Sequence, residues 1–265
     1  MSSEHTSPAC PEAITFHNTA SRSPYVIVCE HASSFIHDEY KGLGLPLQAA
    51  KEHIGWDIHA MNMATIVAGL LDSPLISAPV SRLVADLNRP ETCQECIPTR
   101  SETTSVPGNL SLTLHERENR LSRWHRPFHQ GLSTFLEDRI ARGIETFLVG
   151  IHSFTPVYAG VPRPWAAGVL YRASHLHGET VAQAMEKQSG ALVGRNQPYD
   201  LWQHSNHTIP FHGDRRGLAA VIVEIRNDLL ATTPGLTRWA GITAQALQKG
   251  QTCPLPPANR QAKTA

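Results

Sequence analysis

The chain has no net charge: Lys plus Arg and Asp plus Glu number 23 each in 265 residues. Such a balance provides no field to hold nucleic acid or an anionic membrane, so neither is expected as a partner. No apolar run approaches the roughly 18 residues that span a bilayer. The opening MSSEHTSPACPEA lacks the basic start and apolar centre of a secretory signal, so the expected location is cytoplasmic. Cysteine is scarce. Its five residues (Cys10, Cys29, Cys93, Cys96 and Cys253) are odd in number and irregularly spaced, which argues against a disulfide framework. The Cys93-x-x-Cys96 pair has no second half and is not expected to form a structural zinc site.

Histidine, by contrast, is abundant, with 15 residues. It is the usual acid/base group near neutral pH and the commonest protein ligand for zinc, so the excess favours metal or proton chemistry. Hydrophobic residues make up 41% and charged residues 17%, ordinary for a soluble chain with a sizeable core.

Residues 1–23 are polar and the Pro-rich stretch 251–265 ends the chain; both are expected to be flexible, with a single catalytic domain over 24–250. Within it the apolar runs YVIVCE, PLISAPV, TFLVGIHSF, AAGVLYR and AAVIVEIR read as strands. Most are continuous rather than alternating, which suits strands covered on both faces. Helical spacing appears at about 47–72, over 112–136, at about 178–189 and at 234–248, with a short strand near 191–193. Pro127 should kink or split the second helix. SRLVADLNRP contains the strand-like LVADL. Strands alternating with helices predict an α/β three-layer sandwich with a mostly parallel, mixed central sheet.

Three of the apolar runs end in polar residues. VIVCEH closes on Glu30 and His31, FLVGIHS on His152 and Ser153, and AVIVEIRND carries Glu224. The carboxyl ends of parallel strands converge on one crevice, so these residues predict a shared polar centre. A hydrolytic zinc needs about three N/O ligands, an open position and a carboxylate that takes a proton from water. His31 and His152 supply two imidazoles. Asp57, in HIGWDIHA, is a candidate third ligand, although a helix-start residue stabilised by the dipole explains it equally well. A continuing strand would aim Glu30 away from His31, which favours His31 alone from that pair. Glu224 lies inside its strand, costly to bury unpaired, and is the candidate general base.

Substrate recognition is expected from arginines, which grip carboxylates with paired hydrogen bonds. Arg82, Asn88 and Arg89 lie in SRLVADLNRP, Arg163 in GVPRPW and Arg216 in DRRGL. Surface salt bridges account for any one of them; together they point to a carboxylate-bearing substrate. His212, just before the VIVE strand, is a further binding candidate. His125 and His129, four apart, could face one side of a helix, and His115 with Glu118 read as an exposed helix face.

In order along residues 24–245, CEHAS, GWDIHA, SRLVADLNRP, GIHSFTP, NQPYD and RRGLAAVIVEIRNDLL resemble the N-formylglutamate amidohydrolase family. DLNRP and EIRNDL are the most specific blocks. That family is similar in fold to the zinc carboxypeptidases and aspartoacylases. The resemblance implies a phosphorylase/hydrolase-like, carboxypeptidase-like sandwich and one zinc per chain, or another divalent metal, held through His31 and His152. It also implies Glu224 as base, Asn88 and Arg89 on a substrate carboxylate, and a part in histidine degradation. Two departures stand out. The second position of a carboxypeptidase His-x-x-Glu pair falls on Ser34, a poor zinc ligand, which leaves Asp57 as third ligand. CEHAS also replaces the Pro-His-Ser-Gly motif of formylglutamate deformylases, so a different N-acyl amino acid is open as substrate. The expected reaction is hydrolysis of an N-formyl or N-acyl amino acid with a free carboxylate, with Arg82 or Arg216 at the oxyanion. A zinc hydrolase for another small amide, or a non-catalytic carboxylate-binding module, are the alternatives.

Overall fold

The computed structural model of the protein describes residues 12–202 and 205–254. The expected flexible stretches therefore fall partly outside the described residues, at 1–11 and 255–265. Strands β1 (Thr15–His17), β2 (Tyr25–Cys29), β3 (Leu75–Ser77), β4 (Phe147–Phe154), β5 (Ala167–Leu170), β6 (Val193–Arg195) and β7 (Ala219–Arg226) form one sheet. Their order is β1-β3-β2-β4-β7-β5-β6. Strands β3, β2, β4 and β7 run parallel, and β6 runs parallel to β5. β1 is antiparallel to β3, and β5 to β7. The sheet is mixed and mostly parallel.

The longer helices are α1 (Ala60–Leu70), α2 (Leu114–Arg120), α3 (Arg126–Ala141), α4 (His175–Ser189) and α5 (Thr233–Gln251). α1, α4 and α5 cover the face that carries Ile27, Val149, Ile151, Val221 and Val223. On the other face Val28, Leu148 and Ile222 pack with Trp124, Phe128 and Leu132 of α3 and the turn before it. Covering both faces explains the unbroken apolar runs: each fully buried Val, Leu or Ile contributes about 1.5–3 kcal/mol. Among the described residues no helix is long and apolar enough to cross a membrane.

Four segments differ from the sequence expectation. The spacing over 47–72 is not one helix. Leu47–Ala50 forms a single turn, the chain reverses, and α1 starts at Ala60. A Cβ on Gly55 would lie 2.4 Å from the Ala50 carbonyl oxygen, so only glycine permits that reversal. LVADL is buried but is not a strand. Ser81 Oγ accepts from Leu83 N, Asp86 Oδ1 accepts from Asn88 N, and Asn109 Nδ2 donates to the Leu83 carbonyl, so side chains replace ladder bonds. The long helix is not split at Pro127: a π turn, Leu121–His125, joins α2 to α3 with helical backbone throughout, and it accommodates the proline that lacks an N–H. Thr15–His17, inside the stretch expected to be loose, is an edge strand on β3.

Candidate active site

β2 ends at Cys29, so Glu30 and His31 occupy the turn beyond it. Were the strand to continue, Glu30 would share the face of Val26 and Val28, the same face that carries His152 on β4. The structure keeps that placement for Glu30, whose Oε2 lies 3.0 Å from His152 Nε2. The chain turns after Cys29, and the turn also brings His31 into the site. Strict alternation aims His31 and Glu30 to opposite faces; it holds for Glu30, and the bend overrides it for His31, so both reach the site. His152 is in register with Glu224 on β7, so both project from one face at the carboxyl end of the sheet. Asp57 is fixed by its own backbone, its N–H donating to the His31 carbonyl at 3.0 Å, and Ser153 Oγ on β4 donates to Ile58 O at 2.7 Å.

The three candidate ligands meet. Asp57 Oδ2 lies 3.3 Å from His31 Nδ1 and 2.8 Å from His152 Nδ1, and one ligand atom from each residue falls within 4.8 Å of the others. The far nitrogens of both rings face carboxylates. His31 Nε2 is 2.7 Å from Asp86 Oδ1, and His152 Nε2 faces Glu30 as an ion-pair contact rather than an aligned hydrogen bond. Arg82 crosses behind, donating to Asp57 Oδ1 at 3.2 Å and to Asp86 Oδ2 at 2.9 Å.

Burial and Arg82 oppose charge on His31, but Asp86 and Asp57 outweigh them and raise its pKa. Burial opposes charge on His152 as well, and Glu30 with Asp57 raises it well above the usual value. The same contacts hold Asp57 and Asp86 below the carboxylate range against the penalty of burial. Glu224 goes the other way, pushed up to about 7 chiefly by burial. Its Oε2 is buried without a hydrogen-bond partner.

This donor set fits a divalent cation. Glu30, Asp57 and Asp86 are buried and held ionised beside Arg82, and they draw the histidines toward protonation. Two imidazoles and a carboxylate, each ring backed by a further carboxylate, form the usual first and outer shells of a bound metal. His31, Asp57 and His152 are the residues that would hold it.

The cleft in front, about 130 Å³, is lined by Arg82, Asn88, Arg89, Tyr199, Asn206 and Glu224 along with the three candidate ligands. Asn88 Oδ1 accepts from the His207 and Thr208 backbone N–H groups, which pins its side chain. At the rim, Glu102 accepts from Ala159 N at 2.6 Å and pairs with His53 at 2.7 Å, joining two short hairpins, 100–105 and 157–162. Arg163 lies behind the wall, its guanidinium 4.6 Å from the Tyr158 ring centre and 4.8 Å from that of Tyr199.

Besides Arg163, two expected site residues lie outside the cleft lining. Arg216 reaches α3, donating to Ser133 Oγ at 3.1 Å and to Glu137 at 3.0 Å, and does not line the cleft. It closes a short 3-10 turn and also donates to the Phe211 carbonyl at 3.1 Å. His212 is fully buried against His129, 2.9 Å from Nδ1, and is also outside the cleft lining. Arg82 lines the cleft, and its guanidinium donates to both Asp57 and Asp86. Asp86 is the site residue that sequence reading did not single out. A buried acid four residues after Arg82 was the available signal.

The family model for N-formylglutamate amidohydrolase matches residues 23–231. Among solved structures, a gene product of Agrobacterium tumefaciens is 34% identical with a TM-score of 0.87, over 91% of this chain and 95% of that one. The N-formylglutamate amidohydrolase of Ralstonia eutropha is 16% identical with a TM-score of 0.62, over 90% and 97%, a likeness of fold. No curated protein matches the sequence. The chain belongs to the N-formylglutamate amidohydrolase family and is a hydrolase acting on amide bonds.

Proposed function

From that membership and the geometry of the cleft, we propose that the chain is a zinc-dependent amidohydrolase. It removes the formyl group from an N-formyl amino acid with a free carboxylate, such as N-formylglutamate. The observation that carries this reading is Glu224, buried with an unpartnered oxygen, raised to about 7 and in register with His152 of the triad. When bound, a divalent ion supplies Lewis acidity, polarising an amide carbonyl and lowering the pKa of water from about 15.7 to about 7.

The protein's own groups do the rest. Glu224 takes the proton of the attacking water and delivers it to the amide nitrogen, so the C–N bond breaks to give a free amino acid and formate. A pKa near 7 suits both the uptake and the return of that proton. Arg82 and the carboxylates of Asp86 and Glu30 hold the ligand rings and Asp57 in orientation. Among the described residues Arg89 has one hydrogen bond, to the Asn88 carbonyl at 3.1 Å, and a 4.0 Å contact with Glu95, which leaves donors for a substrate carboxylate beside Asn88. The small volume of the cleft supports a small acyl group. The test is release of formate from N-formylglutamate, and of acetate from N-acetylglutamate, by protein stripped of metal and reloaded with zinc. Formate release restored by zinc is expected. Turnover of neither compound, with zinc bound, overturns the reading.

A further inference from the structure

Outside the cleft, four histidines gather between α3 and the segment 205–213. His125 closes the π turn, His129 follows one helical turn later, His207 comes from the loop and His212 from a second π turn, Ile209–Gly213. Ring centres are 4.5 Å apart for His125–His129 and for His129–His207. One potential ligand nitrogen from each of His125, His129 and His207 lies within 4.8 Å of the others.

The hydrogen bonds fix which nitrogens these rings can offer. His125 Nε2 meets the Arg89 carbonyl and His129 Nε2 the Leu87 carbonyl, both at 2.8 Å. A carbonyl only accepts, so each Nε2 carries the proton and each Nδ1 presents a lone pair. An imidazole that donates one N–H to a backbone carbonyl and offers its other nitrogen is the usual state of a metal-bound histidine. Neither ring nitrogen of His207 has a hydrogen-bond partner among the described residues, and its ring is stacked on Phe211 at 4.7 Å. Among the described residues none of the hydrogen bonds or ion pairs of these rings goes to a carboxylate, so no directly bonded acid holds a second proton on them, and lone pairs remain available.

We propose that His125, His129 and His207 form a second metal site, one that takes a borderline divalent ion such as zinc through three neutral imidazoles. Such a donor set selects zinc, nickel or copper over magnesium and calcium. Tetrahedral zinc–nitrogen bonds of about 2.0–2.1 Å need ligand atoms closer than 4.8 Å, so binding draws the rings together, and His207 is the least buried of the three. His129 gives up the hydrogen bond from His212 Nε2–H. His212 then carries its proton on Nδ1, where Ser133 Oγ stands 3.5 Å away. The ion ties α3 to the loop whose His207 and Thr208 N–H groups hold Asn88, so the site braces the wall of the cleft.

The test is zinc per chain, by elemental analysis of untagged protein loaded with zinc and freed of excess by gel filtration. Wild type is compared with His207→Ala, His125→Gln and Asp57→Asn, each checked for folding by circular dichroism. Two equivalents in wild type, falling to one in each variant, is the expected result. One equivalent in wild type that disappears in Asp57→Asn overturns the second site and leaves the catalytic one standing. One equivalent that disappears in His207→Ala and survives in Asp57→Asn supports this site and counts against the catalytic one. Two equivalents retained in both His207→Ala and His125→Gln also overturn it.

Discussion

The two histidine groups share one wall and have opposite electrostatics. Asp86 turns its side chain to His31, while Leu87 and Arg89 turn their carbonyls to His129 and His125. Burial disfavours charge on every one of these rings. Around His31 and His152, carboxylates overcome burial and raise the pKa. In the other group burial prevails: His125 is lowered, His129 falls well below its usual value, and His207 and His212 drop to about 4 and about 3. The lesson is that burial alone does not set a histidine's charge state. What the far nitrogen touches does, a carboxylate in one group and a carbonyl or another imidazole in the other.

The sharpest way to break the comparison is Glu224→Gln. The cleft has a carboxylate with no fixed partner, and the histidine group has none in its contacts. Removing its basicity is expected to lower kcat by about 10²- to 10⁴-fold, while zinc per chain stays at the wild-type value. Near-normal turnover of an N-formyl amino acid would return Glu224 to a structural role. Next in size is Asp86→Asn, which keeps the shape but removes the charge behind His31. Zinc affinity at the cleft is expected to fall about 10- to 100-fold in a competition titration with a chelator. An unchanged affinity would mean that the carbonyl type of backing serves as well as the carboxylate type.

Much of this was legible in the sequence. Continuous apolar runs gave the sheet its strands, and their polar ends located His31, His152 and Glu224. Alternation misled at His31, which it aims away from Glu30, because it assumes a strand where the chain bends after Cys29. LVADL looked like a strand because its residues are buried, and periodicity cannot show that Ser81, Asp86 and Asn109 satisfy its backbone instead. Asp86 escaped notice for the same reason. A buried acid is visible in sequence only through its partners, and of these Arg82 is near in the chain but His31 is 55 residues away. The arginines were the least legible: Arg82 and Arg216 are equivalent on paper, and only the fold directs one to carboxylates in the cleft and the other to Glu137 on α3.

Acid separates the two groups in metal-free protein. A raised histidine such as His31 or His152 contributes stability that is complete below the unfolded pKa of about 6.5 and is lost as pH rises through its folded value. A lowered one such as His212 contributes stability that is present above about 6.5 and lost as pH falls toward its folded value. Between pH 6.5 and 5 the first contribution is constant while the second drains away. With His212 near 3, the loss at pH 5 is on the order of 2 kcal/mol. Glu224, protonated early in the metal-free fold, pulls the other way, so the quantity to read is the difference between wild type and His212→Asn. Urea midpoints across this range are expected to converge on acidification. Parallel curves would show that the group is not held neutral.

The smallest effect expected marks the boundary of the comparison. Arg216 sits beside the histidine group, bonded to Ser133, the same hydroxyl that faces His212, and to an exposed Glu137. An ion pair with one partner in water contributes about 0.2–1 kcal/mol. Arg216→Ala is therefore expected to cost less than about 1 kcal/mol in urea unfolding, and to change kcat/KM for an N-formyl amino acid by less than about twofold. Both limits matter. A large kinetic loss with normal stability would place its guanidinium in the reaction after all, on a path that the cleft lining does not show. A stability loss of several kcal/mol would mean that Ser133 and Arg216 clamp the histidine group, and that its neutrality depends on a cation held close beside it.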